Sequence, residues 1–151
     1  MTGNIFTNQV LWTGLLGWFL AQTLKPFVEY LIKRRWNWGL WFSPGGNPSS
    51  HSALMTSTTL AIGLYVGFGT PLFALAVAIS MVVVYDAAGV RRQAGMQAAR
   101  INRLFEAIFS GLPITDKRLK EVLGHTPRQV ISGVLLGALC AMVMYVIWPP
   151  I

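Results

Sequence analysis

Four stretches of this chain, 5–24, 52–68, 72–85 and 130–148, contain no charged side chain at all. A helix of about 20 apolar residues spans the roughly 30 Å of a bilayer's hydrocarbon. In that medium every backbone polar group must find its partner inside the segment, which leaves the helix as the element for such runs. The composition agrees, with 54% hydrophobic and 11% charged residues, where soluble domains carry about 25% charged. The expected fold is therefore all-α: a polytopic membrane helical bundle with four transmembrane helices and one interfacial amphipathic helix. The 151 residues make one domain by length. Spans are expected at about 5–32, 52–68, 72–89 and 127–148, with an interfacial or cytoplasmic insertion at about 91–125. No basic residue precedes the first run and no small-residue cleavage site closes it, so no secretory signal peptide is expected.

The first helix should run past Lys25 and Glu29 to about Ile32, interrupted only by Pro26. Lys25 and Glu29 are spaced as an i,i+4 pair, and two readings stand. Ionisable residues inside a membrane span are candidates for function, or Lys25 reaches the headgroups and Glu29 pairs with it. The basic and aromatic residues of 33–38 then read as an interfacial anchor. Gly63 and Gly67, and again Gly133 and Gly137, form small-xxx-small patterns that permit close helix approach, within one chain or in a homo-oligomer. Asp86, five residues before Arg91 and Arg92, suggests a charge-paired turn. Residues 96–112 repeat Ile101, Leu104, Phe105 and Ile108 on one face, which predicts an amphipathic helix lying on the membrane. Asp116 can cap a short helix over 117–123. Thr126, Pro127 and Gln129 spell a capping box with proline at the first helical position.

All 12 lysines and arginines lie at the end of the first run, after the third or around the start of the fourth. With four spans these segments share one side, which the positive-inside rule makes cytoplasmic, and both termini face out. Charge spread along a membrane face, without a nucleic-acid-binding fold to carry it, argues against nucleic acid as a partner. The lone Cys140 provides neither a disulfide nor a metal framework.

This topology brings Lys25, Arg34, Ser49, Ser50, His51, Arg91, Arg92 and His125 to one membrane face. The segment Gly45-Gly46-Asn47-Pro48-Ser49-Ser50-His51-Ser52 leads straight into the second run. Pro48 presets helix entry and Ser49 or Ser50 can cap it, so the helix mouth offers N–H groups and a positive dipole end to an oxyanion. His51 sits in that first turn and His125 immediately before the mouth of the last helix. An ordinary helix start would explain either one alone. Two histidines at two helix mouths with at least three cations nearby describe a phosphate site, and no carboxylate or Cys/His cluster calls for a metal or other cofactor. One histidine would attack phosphorus, the other would protonate the leaving oxygen, and cations and amides would hold the remaining oxygens.

Three blocks in order, residues 45–52, the run Tyr85-Asp86-Ala87-Ala88-Gly89-Val90-Arg91-Arg92 with Gly95 and Gln97, and Leu123-Gly124-His125-Thr126-Pro127, resemble the divergent branch of the type 2 phosphatidic acid phosphatase family. That family belongs to the vanadium-dependent haloperoxidase superfamily, whose pattern is K-x6-R-P, P-S-G-H and S-R-x5-H-x3-D on a metal-free helical bundle. The resemblance runs from about Gln22 to Gly137. It implies that Lys25 is the first-block lysine, with Arg34 the nearest substitute for the missing Arg-Pro. It makes His51 the leaving-group acid, with Ser50 in the glycine's place, and Arg91 or Arg92 the third-block arginine. His125 is then the nucleophile, and Gln129 stands where the family has the orienting aspartate, or serves only as a helix cap. The implied activity is hydrolysis of a lipid phosphate monoester at the cytoplasmic face of a cell membrane, through a phosphohistidine. Phosphatidic acid, phosphatidylglycerophosphate and isoprenyl phosphates are the candidate substrates. The rival reading is a non-catalytic membrane protein that binds lipid phosphate headgroups; a small transporter fits less well, with no broken helix or inverted repeat.

Overall fold

A short helix of small and hydroxylated residues, rather than any of the greasier ones, is the element against which three of the others pack. The computed structural model describes residues 4–108 and 124–150, the side chains of Arg91 and Ala107 excepted. Among these residues there are five α-helices and no strand: α1 Gln9–Lys33, α2 Ser50–Tyr65, α3 Pro71–Ala88, α4 Val90–Ile108 and α5 Pro127–Ile147, with 3-10 turns at Ile5–Thr7 and Trp38–Phe42. The expected helix over 117–123 and its Asp116 cap lie outside the described residues, as does the end of the 96–112 helix.

α2 packs against α1, α3 and α5. Its inward side is built from Ser52, Ala53, Ser57, Thr59 and Ala61, small enough for three neighbours to approach. Gly14 and Gly17 of α1 lie against Thr58 and Ser57, and Gly133 and Gly137 of α5 lie against the carbonyls of Ser49 and Ala53. The second glycine pair predicted for close packing therefore works within the chain. The first does not: Gly67 lies beyond the end of α2 at a φ of 118°, and Gly63 makes room for the ring of Phe68. A pair straddling a helix terminus has no common face to offer.

The buried polar side chains of α2 also settle locally. Ser57 donates to the Ala53 carbonyl at 2.7 Å, and Thr59 and Ser80 share a 2.7 Å hydrogen bond that ties α2 to α3. α3 has only Ala87 buried, and Leu72, Leu75, Ile79, Met81 and Val82 are exposed. The helix beginning at Pro71 and α5 are long and apolar enough to cross a membrane, with mean hydropathies of 2.1 and 2.5. α2, at 16 residues, is about 24 Å long, and its polar face turns inward.

One local expectation is corrected. Lys25 does not pair with Glu29; Glu29 bonds Lys33 at 2.8 Å instead, because both lysines satisfy the i,i+4 rule and only Lys33 shares Glu29's outward face. The turn expected after Asp86 is confined to Gly89. α4 starts at Val90, directly after Gly89 breaks α3 at φ −102°, ψ −84°. Arg91 and Arg92 thus belong to the first turn of a helix. α4 buries Gly95, Ala98 and Asn102, while Ile101, Leu104, Phe105 and Ile108 are exposed.

Candidate active site

Ser49 caps α2. Its hydroxyl accepts from the Ser52 amide at 3.3 Å and the Ser52 hydroxyl at 3.1 Å. Its own amide donates to the Gln129 carbonyl at 3.0 Å, which fastens the mouth of α2 to the first turn of α5. Ser132 of α5 adds a hydrogen bond to the side chain of Asn47. The Ser50 and His51 amides precede the helix's own hydrogen-bonding pattern, as the first turn of any helix requires. The preceding loop folds over α1 because Gly46 takes a φ of 96°, a left-handed conformation that glycine adopts without strain. A Cβ there would press on the stem of Lys25 at 3.3 Å.

Lys25 is 0% exposed. Its ammonium donates to the Ser43 carbonyl at 2.8 Å and lies 3.4 Å from the Ser50 hydroxyl. Among the described residues no carboxylate is paired with it. A cation removed from water without a counter-ion is a standing cost of several kcal/mol, and a bound anion would relieve it. One turn earlier, Gln22 donates its amide to the carbonyls of Leu40, Trp41 and Ser43. The sequence motifs did not single out Gln22. The available signal was an amide in a charge-free run, on the same helix face as Lys25.

His125 is 2% exposed and its amide donates to the Ala87 carbonyl at the end of α3, at 2.8 Å. Its Nδ1 lies 3.4 Å from Oε1 of Gln129, and that same oxygen accepts the Thr126 amide at 2.9 Å. A backbone N–H can donate only to an acceptor, so the Gln129 atom facing both groups is its oxygen. That contact assigns the proton of a neutral His125 ring to Nδ1 by hydrogen-bond geometry alone. Nε2 is buried with no hydrogen-bond partner among the described residues. Gln129 caps the helix, and the same oxygen lies within reach of the His125 ring. Burial, chiefly, holds the His125 pKa below the ordinary histidine value, and the nearby charges of His51 and Lys25 act in the same direction. The contacts to Gln129 and the Gly46 backbone oppose the shift. The ring of His51 faces that of His125 at 5.9 Å between centroids and 61° between planes.

The structure thus gathers Lys25, Ser49, Ser50, His51, His125 and Gln129. Arg34 stands apart: it is exposed and ends α1 in a left-handed conformation, φ 55°, about 13 Å along the helix from Lys25. Arg92 is exposed, Asp86 is half-buried in the last turn of α3, and the Arg91 side chain lies outside the described residues. No group of three His, Cys, Asp or Glu side chains able to hold a metal occurs among the described residues.

No solved structure matches this chain. A relative from Bacillus subtilis (strain 168), the uncharacterised membrane protein YuiD, is 36% identical over 152 residues, covering 93% of this chain and 96% of its own. Residues 6–140 match the family described as the Divergent PAP2 family, and the chain belongs to that family of membrane proteins.

Proposed function

We propose that this protein is a metal-independent lipid phosphate phosphatase, built on four membrane spans (α1, α2, α3 and α5) with its site at the cytoplasmic interface. The observation that carries the reading is the pairing of His51 and His125, rings 5.9 Å apart, beside a buried lysine. Nε2 of His125 has its lone pair available and attacks phosphorus, while His51 protonates the departing alkoxide as the P–O bond breaks. Water, deprotonated by His51, then displaces Nε2 and releases inorganic phosphate. Lys25 and the first-turn amides of α2 hold the phosphoryl oxygens, with Arg91 or Arg92 as further ligands. The lipid phosphate monoester would be of the phosphatidic acid, phosphatidylglycerophosphate or isoprenyl type. The one-sided distribution of lysines and arginines supports a cytoplasmic site with both termini outside.

A second reading, lipid phosphate binding without catalysis, draws on Gln129: an amide orients the imidazole without stabilising the positive charge it develops. Phosphate release by purified protein from a panel of lipid phosphates, compared with His125→Ala, tests both. The enzyme reading expects turnover that falls by at least about 1,000-fold in the variant, with acid-labile, base-stable phosphate on the wild-type protein alone. Lipid binding without turnover or adduct would leave the binding protein.

A further inference from the structure

Next to the pocket lies an aromatic platform that the proposed chemistry does not use. Tyr30 stacks on Trp36 at 4.4 Å and 14°, and Trp36 on Trp38 at 5.0 Å and 4°. Phe27 meets Trp36 edge-on at 5.6 Å, and Trp41 meets Trp38 at 5.2 Å. The three tryptophans nonetheless remain exposed, and Phe42 is 91% exposed. Indole rings held rigidly and left half-uncovered suit a headgroup layer, apolar on one side and wet on the other. Lys33, Arg34 and Arg35 are exposed at the platform's margin, with Glu29 engaged by Lys33. The patch is therefore net positive and complementary to anionic lipid.

The platform is fastened to the pocket at one place. Gln22 holds the Leu40 carbonyl at 3.4 Å and the Ser43 carbonyl at 3.3 Å, and also bonds the Trp41 carbonyl. Trp41 returns a hydrogen bond to Thr23 at 3.4 Å. The Ser43 carbonyl gripped by Gln22 is the one that receives the Lys25 ammonium, at 2.8 Å. We propose that the aromatic segment 36–42 seats in the headgroup layer of an anionic membrane and that Gln22 is the positioning residue linking that seat to Lys25. Taking Lys25 and His125 as one phosphate pocket, as above, the loop is then a wall of that pocket, and a phosphate drawing on the Lys25 ammonium must disturb the Ser43 carbonyl and the tryptophans behind it.

The test uses full-length protein labelled with 5-fluorotryptophan in nanodiscs of phosphatidylglycerol and phosphatidylcholine, titrated with inorganic phosphate and followed by fluorine NMR. Lipids carrying a paramagnetic headgroup should broaden Trp36, Trp38 and Trp41 more strongly than Trp18, in the middle of α1. Phosphate should shift the same three signals with the affinity that calorimetry gives for the pocket. Gln22→Leu should weaken phosphate binding about tenfold, the weight of one misplaced charge-assisted hydrogen bond, and uncouple the tryptophan shifts from it. Should Gln22→Leu fail to fold, the wild-type titration decides alone. Phosphate bound while the three signals stay fixed, or signals broadened no more than Trp18, would overturn the linkage and leave the pocket standing. No phosphate binding by wild-type protein would bring down the pocket and the linkage together.

Discussion

The two ends of the bundle both bring polar groups into a medium that punishes them, and they use them differently. Where α1 begins and α5 ends, Gln9 donates to the Trp148 and Pro149 carbonyls, both at 3.0 Å. Tyr65 donates to the same Trp148 carbonyl at 2.9 Å, and Thr13 to the Gln9 carbonyl at 2.7 Å. Each of these bonds closes the chain on itself. At the opposite end, Gln22, Ser49 and Gln129 stitch in the same way, yet among the described residues they surround an ammonium with no carboxylate and an imidazole nitrogen with no hydrogen-bond partner. Folding alone accounts for the first end. On the function proposed above, the second end holds its positive charge and its lone pair for a phosphate ligand, since buried polar groups are otherwise paired.

The sharpest way to break that contrast is Lys25→Met. If the charge serves a ligand, phosphate affinity and turnover should fall about 100-fold, the loss of one strong charge contact. Stability should stay within about 1 kcal/mol, because an apolar side chain of similar length replaces an unpaired buried ion. Thermal melting in detergent beside phosphate calorimetry reads both. A variant that loses stability and binding in step would make Lys25 a structural residue like Gln9.

Gly133→Val should join the two properties that Lys25→Met separates. A Cβ at Gly133 runs into the Ser49 carbonyl and reaches Ser52 at 3.0 Å, so α5 must leave α2 and the Ser49–Gln129 bond opens. A loss of about 3 kcal/mol is expected from overpacking a tight interface, with activity falling as His51 and His125 separate. Retained activity in a destabilised protein would mean that the helix contact does not set the histidine distance.

At the other end, Tyr65→Phe should cost about 1 kcal/mol, the net worth of one hydrogen bond. Turnover and phosphate affinity should not move. Any change in either would show that the ends communicate through α2.

Much of this was legible in the sequence because the signals were local. The capping box at Thr126 and Gln129, the mouth of α2 and the apolar runs each depend on residues within one or two turns. The misread features needed to know which way a side chain points. Glu29 has a lysine four residues away on either side, and spacing cannot choose between Lys25 and Lys33. Gly63 and Gly67 have the same spacing as Gly133 and Gly137, but a helix that ends at Tyr65 leaves only the second pair on one face. Gln22 escaped notice because its partners are backbone carbonyls of a loop 18 to 21 residues away, to which no motif corresponds. For Gln129 the sequence leaves cap and orienter as alternatives, whereas in the fold one oxygen lies within reach of both donors.

That double duty makes Gln129→Glu the finest probe, with the smallest effect at neutral pH and a definite sign. A carboxylate keeps both acceptor roles, so the Thr126 cap and the Nδ1–H tautomer of His125 should survive. It adds a negative charge beside the ring, which raises the histidine's pKa. In the wild type that pKa is held below its ordinary value, mainly by burial. His125 thus stays neutral as pH falls past the ordinary histidine value of about 6.5, and if it is the nucleophile the acid limb of kcat/KM should lie below that pH. In the variant the limb should move up by about one unit, while the rate at pH 8 changes by no more than about threefold. Stability follows the same linkage. With a depressed folded pKa, the wild type has its full histidine contribution above about 6.5 and loses it as pH falls towards the folded value, because the unfolded chain takes up the proton first. The variant should lose less over that window. Rate profiles and melting curves from pH 5 to 8 measure both. An acid limb that stays in place would mean that Gln129 caps α5 without touching the chemistry of His125.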